Sequence, residues 1–150
     1  MKPPNPDQIA LKRFAREPGA PAGFSANPLA AALGTRMLAV DERAGLVRLA
    51  FAPDAIFVQG AGVLQGGAIG AMLDFAMAFA VLAALPEGQT CSTANVNVSF
   101  LRAAPRGDYV ASGVIARRGS RLAFTRASVY AADAPERLVA TATSTLAIIA

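Results

Sequence analysis

Asp74 is the only charged residue in an apolar run, GVLQGGAIGAMLDFAMAFAVLAAL, that fills residues 62–85. An ionised carboxylate left unpaired among apolar groups is costly, and desolvation raises the pKa of a buried acid. An acid so tuned, lining a cavity, suits general acid or base chemistry. On a helix, Gly66, Gly70, Asp74 and Ala78 recur at spacing four and share one face. Their small side chains leave room for a ligand beside the carboxylate. The same strip also fits close helix–sheet packing, with Asp74 bonded to a backbone group or an arginine.

Gly66 and Gly67 stand where this helix would begin. A helix start offers unpaired N–H groups and the positive end of the dipole. Two glycines let a ligand approach that backbone closely, so the position can hold an oxyanion. Gly66 and Asp74 are eight residues apart, or roughly 12 Å along a helix. A carbonyl held at the Gly66 N–H therefore cannot touch Asp74 of the same chain. If both groups serve one site, two chains must share it.

What is missing narrows the chemistry. The 150 residues contain no histidine, one cysteine (Cys91) and no tryptophan. Histidine-based triads, histidine-dependent dehydratase sites and most zinc sites are excluded, and no metal site is expected. Without a histidine to activate it, Cys91 reads as a small buried hydrophobe. A single cysteine allows no internal disulfide and suits a reducing, cytoplasmic setting. The net charge of +4 favours an anionic ligand. No basic cluster interleaved with aromatics marks a nucleic-acid site. The N-terminus has no continuous apolar stretch of the signal-peptide kind. Residues 66–85 have roughly the length of a membrane span. Asp74 at its centre and the absence of Lys/Arg and aromatic anchors at its flanks argue for a core helix instead.

The elements that must position these residues follow from local pattern. Residues 1–26 form an N-terminal extension rich in Pro, Ala and Gly, partly helical around IALKRFARE. Residues 27–150 form one domain. Asn27 and Pro28 start a short helix that Gly34 ends. TRMLAVDERAGLVRLAFAP reads as a hairpin, DAIFVQGAGVLQGG as a loop, and the long helix runs from Gly66 to Leu85. TANVNVSFL alternates, with Thr93, Asn95, Asn97 and Ser99 on one face and Ala94, Val96, Val98 and Phe100 on the other, as in a half-buried strand. Three more strands follow: YVASGVIARR, RLAFTRASVYAA and RLVATATSTLAII. A lone apolar helix needs cover on most sides, which a curved antiparallel sheet supplies. The expected fold is α+β, a hotdog fold with its sheet wrapped around one central helix.

VLQGGAIGAMLDFAMAFAV, NVNVSFLRAAPRGD and RRGSRLAFTRASVY…RLVATATSTLAII, in this order, resemble hotdog-fold acyl-CoA thioesterases of the PaaI/4-hydroxybenzoyl-CoA thioesterase type. The resemblance covers residues 27–150. The family signature is usually HGG, with an Asp or Glu nine positions after the His. Here Gln65, Gly66 and Gly67 fill that motif and Asp74 stands nine after Gln65. The resemblance implies Asp74 as general base or nucleophile, the Gly66 N–H as oxyanion hole, and Gln59 contacting the thioester or positioning water. Thr93 would support Asp74 or its water. The family places Gln59 and Gly66 on one subunit and Asp74 and Thr93 on its partner, in a homodimer or homotetramer. The substrate it implies is an acyl-CoA, with no separate cofactor.

Gln65 departs from the pattern, because Gln forms hydrogen bonds but does not titrate near neutral pH. A non-catalytic acyl-CoA binder on the same scaffold is the alternative. Among the arginines, which also read as a solvated surface, Arg118 and Arg121 lie in a turn that the resemblance puts near the nucleotide of CoA.

Overall fold

The structure is a computed structural model that describes residues 3–150. Helix α1 (Pro6–Arg16) and short helix α2 (Pro28–Ala32) precede the hairpin β1 (Arg36–Asp41) and β2 (Leu46–Phe51). A 3₁₀ turn at Ala55–Phe57 leads to helix α3 (Gly66–Ala84). Four strands complete the chain: β3 (Thr90–Phe100), β4 (Tyr109–Arg118), β5 (Leu122–Ala131) and β6 (Ala134–Ile149). All six strands form one sheet in the order β1-β2-β4-β5-β6-β3, antiparallel throughout. This is the expected hotdog architecture.

α3 is apolar on nearly every side because the sheet covers it. Ile69, Met72, Leu73, Ala76, Met77 and Phe79 are all buried. The helix is long and apolar enough to cross a membrane, yet 61% of its most apolar window is buried inside the fold. Such all-round hydrophobicity belongs to a core helix that other elements enclose. A close approach occurs at Gly113 of β4, where a Cβ would overlap the Ala76 carbonyl and the Met77 nitrogen. Backbone packs on backbone there, and glycine is the residue that allows it.

The far end of α3 explains the N-terminal segment. The last carbonyls of a helix have no intrahelical donor. Gln8 Nε2 donates to the Leu82, Leu85 and Pro86 carbonyls at 3.2, 3.4 and 3.1 Å. Lys12 Nζ donates to Ala83 at 2.9 Å and pairs with Glu42 at 3.5 Å. Arg118 Nη1 donates to Ala84 at 2.7 Å. Two of these three side chains are cations, which the negative end of the dipole favours. Asn5 starts α1 by accepting from the Asp7 and Gln8 N–H groups. Leu11 and Phe24 are buried in the main core, with the Phe24 ring 4.6 Å from that of Phe79.

Two β-bulges set which residues face α3. In β3, Thr93 pairs with Leu146 and Asn95 with Thr145, which leaves Ala94 as the extra residue. In β4, Ile115 pairs with Thr125 and Arg117 with Phe124, which leaves Ala116 extra. A bulge shifts the alternation by one. Thr93 therefore faces the helix, while Asn95, Asn97 and Ser99 face away. The strict alternation expected for TANVNVSF, with Thr93 beside the three polar residues, is corrected here. The half-buried state expected of β3 also fails. β3 is an edge strand, and Val96 and Phe100 remain 38% and 54% exposed.

Candidate active site

Asp74 lies on the α3 face turned toward β3. The Thr93 hydroxyl donates to Asp74 Oδ1 at 2.9 Å, a bond that exists because the bulge at Ala94 turned Thr93 inward. The carboxylate is half-buried rather than sealed in the core. The sheet ends at β3, so the acid opens toward that edge instead of deeper packing. The expectation of a buried acid is corrected to a half-buried one. Its strip neighbours Gly70 and Ala78 are also only half-buried, so the small-residue face does border open space.

Cys91 sits two residues before Thr93 on the same side of β3. Its Sγ donates weakly to the Ala78 carbonyl at 3.6 Å. Burial, with a further contribution from the charge of Asp74, pushes the thiol up to about 11. At neutral pH it stays a thiol, and a thiol is a poor nucleophile.

The second group of residues sits at the start of α3. Gln65 is the N-cap, and its carbonyl accepts the Ala68 and Ile69 N–H groups at 2.9 and 3.3 Å. The Gly66 and Gly67 N–H groups precede that first bonded amide, so no helical carbonyl takes them. The Gln65 side chain is exposed and makes no capping bond. Three backbone bonds brace the loop before it: Gln59 N–H to Val63 O, Leu64 N–H to Ala104 O, and Gln65 N–H to Phe57 O, each 2.8 Å. The Gln59 side-chain oxygen accepts the Ala61 N–H, which leaves its NH₂ group free to donate.

Gln59 and Gly66 line one open groove of about 400 Å³ with Phe100, Leu101 and Arg102. A Cβ on Gly66 would come within 3.3 Å of the Phe100 ring, so glycine keeps the groove open at the helix start. Phe100 and Leu101 were not read as site residues in the sequence. Alternation put Phe100 on the apolar face of β3, but only the end of that strand crossing in front of Gly66 reveals the contact.

Within one chain the structure brings together two pairs, Asp74 with Thr93 and Gln59 with Gly66. It does not bring the pairs to each other: two turns of α3, roughly 12 Å, separate them. Gly67 is exposed beside Gly66, and a Cβ added there would point into open space. Arg118 is occupied by the α3 carbonyl at Ala84, the opposite end from Gly66. Arg121 is exposed in the β4–β5 turn. Thr93, Leu146, Ala123 and Arg118 form one row across β3, β6, β5 and β4. Three strand spacings put Arg118 about 14 Å from Thr93. Among the described residues no His, Cys, Asp and Glu group could hold a metal ion.

A family model described as Thioesterase superfamily matches residues 61–137. Solved structures share the fold. A phenylacetic acid degradation-related protein from Ralstonia eutropha is 34% identical, with 95% of this chain and 99% of that chain covered at a TM-score of 0.78. A thioesterase family protein from Silicibacter pomeroyi is 29% identical over 84% of this chain and 92% of that one, at 0.77. The E. coli PaaI protein from the phenylacetic acid degradation operon is 20% identical over 85% and 88%, at 0.75. No curated protein sequence matches significantly.

Proposed function

This chain belongs to the thioesterase superfamily, and from that premise we propose that it hydrolyses an acyl-CoA at a site shared by two subunits. The observation that carries the proposal is the Thr93–Asp74 hydrogen bond. It holds an acid toward the open edge of the sheet, two helical turns from free N–H groups that suit an oxyanion. An unpaired edge strand invites a second strand. β3 exposes Val96 and Phe100 there, with Leu101 just beyond its end, so a second copy pairing along β3 would cover apolar surface. It would also carry its own Asp74 toward Gly66.

In this reading the thioester oxygen lies at the Gly66 N–H, and Gln59 donates to the substrate or to water. Asp74 of the partner subunit takes a proton from water as the water oxygen bonds to the thioester carbon. The tetrahedral oxyanion is held at Gly66. Its collapse breaks the C–S bond, and the Asp74 carboxyl returns the proton to sulfur, releasing acid and CoA thiol. Direct attack by Asp74, with water then cleaving the anhydride, gives the same products. The setting proposed is cytoplasmic, and the assembly a homodimer or a dimer of dimers.

A second reading is a non-catalytic acyl-CoA binder. It is favoured by Gln65, whose exposed side chain has no bond in this chain. Free-thiol release from aromatic and straight-chain acyl-CoAs separates the two. The expected result is turnover by the wild type, with Gln65→His changing kcat by less than about ten-fold, because the residue orients rather than titrates. A silent wild type beside an active Gln65→His would establish the binder instead.

A further inference from the structure

We infer that the phosphate-bearing end of the substrate is bound by Arg102, Arg106 and Arg137 of the subunit that supplies Gly66. This inference rests on the acyl-CoA reading above. Arg102 lines the groove that holds Gln59 and Gly66. At Ala103 that groove meets a second concavity of about 440 Å³, lined by Arg106 and Arg137 along with Tyr109. The two openings share Ala103 in their walls, so three arginines stand on neighbouring concavities beside the helix N-terminus.

The segment is held in place. Leu64 N–H bonds to the Ala104 carbonyl, Val63 bridges to Pro105, and the Tyr109 hydroxyl donates to the Pro105 carbonyl. The loop that shapes the Gly66 end is thus fixed to the segment that carries Arg102 and Arg106. Two carboxylates, Asp108 and Asp133, line the outer concavity as well. Among the described residues, however, every ion pair within 4.0 Å belongs to Lys12, Arg13 or Arg16. Arg102, Arg106 and Arg137 are therefore three cations with no anion of their own.

Arg118 has no ion pair among the described residues either, but it differs in its surroundings. Its guanidinium is already bonded to the Ala84 carbonyl. Within one chain it also stands at the other end of α3, some 18 residues or roughly 27 Å from Gly66, and about 14 Å from the Thr93 that would join the shared site from its own subunit. A guanidinium pairs with phosphate through parallel N–H bonds, and an unpaired one has no ion pair to break first. The ligand chemistry that fits is a nucleotide carrying several phosphate groups, joined to an acyl thioester by an arm long enough to reach from Gly66 to these arginines.

The test compares an acyl-CoA with the matching acyl-pantetheine, which has the thioester but no phosphates. For Arg102→Ala and Arg137→Ala, the ratio of kcat/KM on acyl-CoA to that on acyl-pantetheine is expected to fall about ten-fold or more relative to wild type. Arg102→Lys should recover part of the loss, since it keeps the charge but not the fork. Arg118→Ala should lower the ratio less than Arg102→Ala does. A ratio that stays level in Arg102→Ala and Arg137→Ala, or that drops further in Arg118→Ala, overturns the inference. Calorimetric titration with free CoA runs on the same variants. It keeps the question answerable if the wild type hydrolyses nothing: CoA binding weakened by Arg102→Ala supports the site without catalysis, and unchanged binding removes it.

Discussion

Asp74→Asn is expected to lower kcat for acyl-CoA hydrolysis by about 100-fold or more, the range that removal of a positioned general base produces. The substitution keeps the size of the side chain and can still accept from Thr93, whose hydroxyl stands 2.9 Å from Oδ1. It cannot take a proton from water or attack the thioester. Because Asp74 is half-buried at the sheet edge rather than locked in the core, the folded state should tolerate the amide. The measurement is free-thiol release alongside a thermal melt. Lost turnover with an unchanged melting temperature is the expected pair of results. Equal rates in the two proteins would return Asp74 to a packing role and take the proposed chemistry with it.

Gly113→Val acts on the fold instead. A Cβ at this position overlaps the carbonyl of Ala76 and the nitrogen of Met77. Both are backbone atoms of α3, so no side-chain rotation relieves the clash. Either α3 lifts off β4 or the strand bows, and buried contacts at Met72, Ala76 and Met77 are lost in both cases. Overpacking of a well-filled core costs typically 1–3 kcal/mol and sometimes more. Backbone-on-backbone contact puts this case at the upper end, about 3 kcal/mol. In a domain of this size that is a fall in melting temperature of roughly 6–12 °C. A melt within about 2 °C of wild type would mean that α3 and β4 do not meet at Gly113 as described.

The long elements were legible in the sequence because each carries a strong local signal. The run from Gly66 is apolar all round yet carries Asp74 at its centre and lacks membrane anchors at its flanks, which marks a wrapped core helix, and the strands alternate. Gly66 and Asp74 were legible by type and spacing, whereas Gln59 and Thr93 came only from the family resemblance; the structure places Thr93 beside Asp74 and Gln59 in one groove with Gly66. What local pattern could not supply was the bulge at Ala94. It lies inside an otherwise regular alternation, yet it decides that Thr93 faces Asp74 while Asn95 faces away. Gly113 was equally silent: in YVASGVIARR it is one small residue in a strand, and only the path of α3 shows why it is there. The N-terminal segment looked loosely organised. Its Gln8 and Lys12 find their purpose at carbonyls more than 70 residues away, a distance that no local pattern spans. Arg118 was expected, by resemblance, near the nucleotide of CoA, and its bond to the Ala84 carbonyl at the end of α3 was not legible for the same reason.

The claim on which the account turns is that Asp74 of one subunit acts on a thioester held at Gly66 of the other. Mixed assemblies test it directly. Asp74→Asn retains an intact Gly66 end, and Gly66→Val retains an intact Asp74 and Thr93. Each variant alone should be nearly inactive. When the two are unfolded together at equal amounts and refolded, half of the dimers are expected to be mixed, and each mixed dimer holds one complete site of two. Free-thiol release should then recover to about a quarter of the wild-type rate. Recovery to that level is the predicted result. No recovery in assemblies shown to contain both chains would place Asp74 and Gly66 in one subunit's site, or in no common site at all, and would contradict the account.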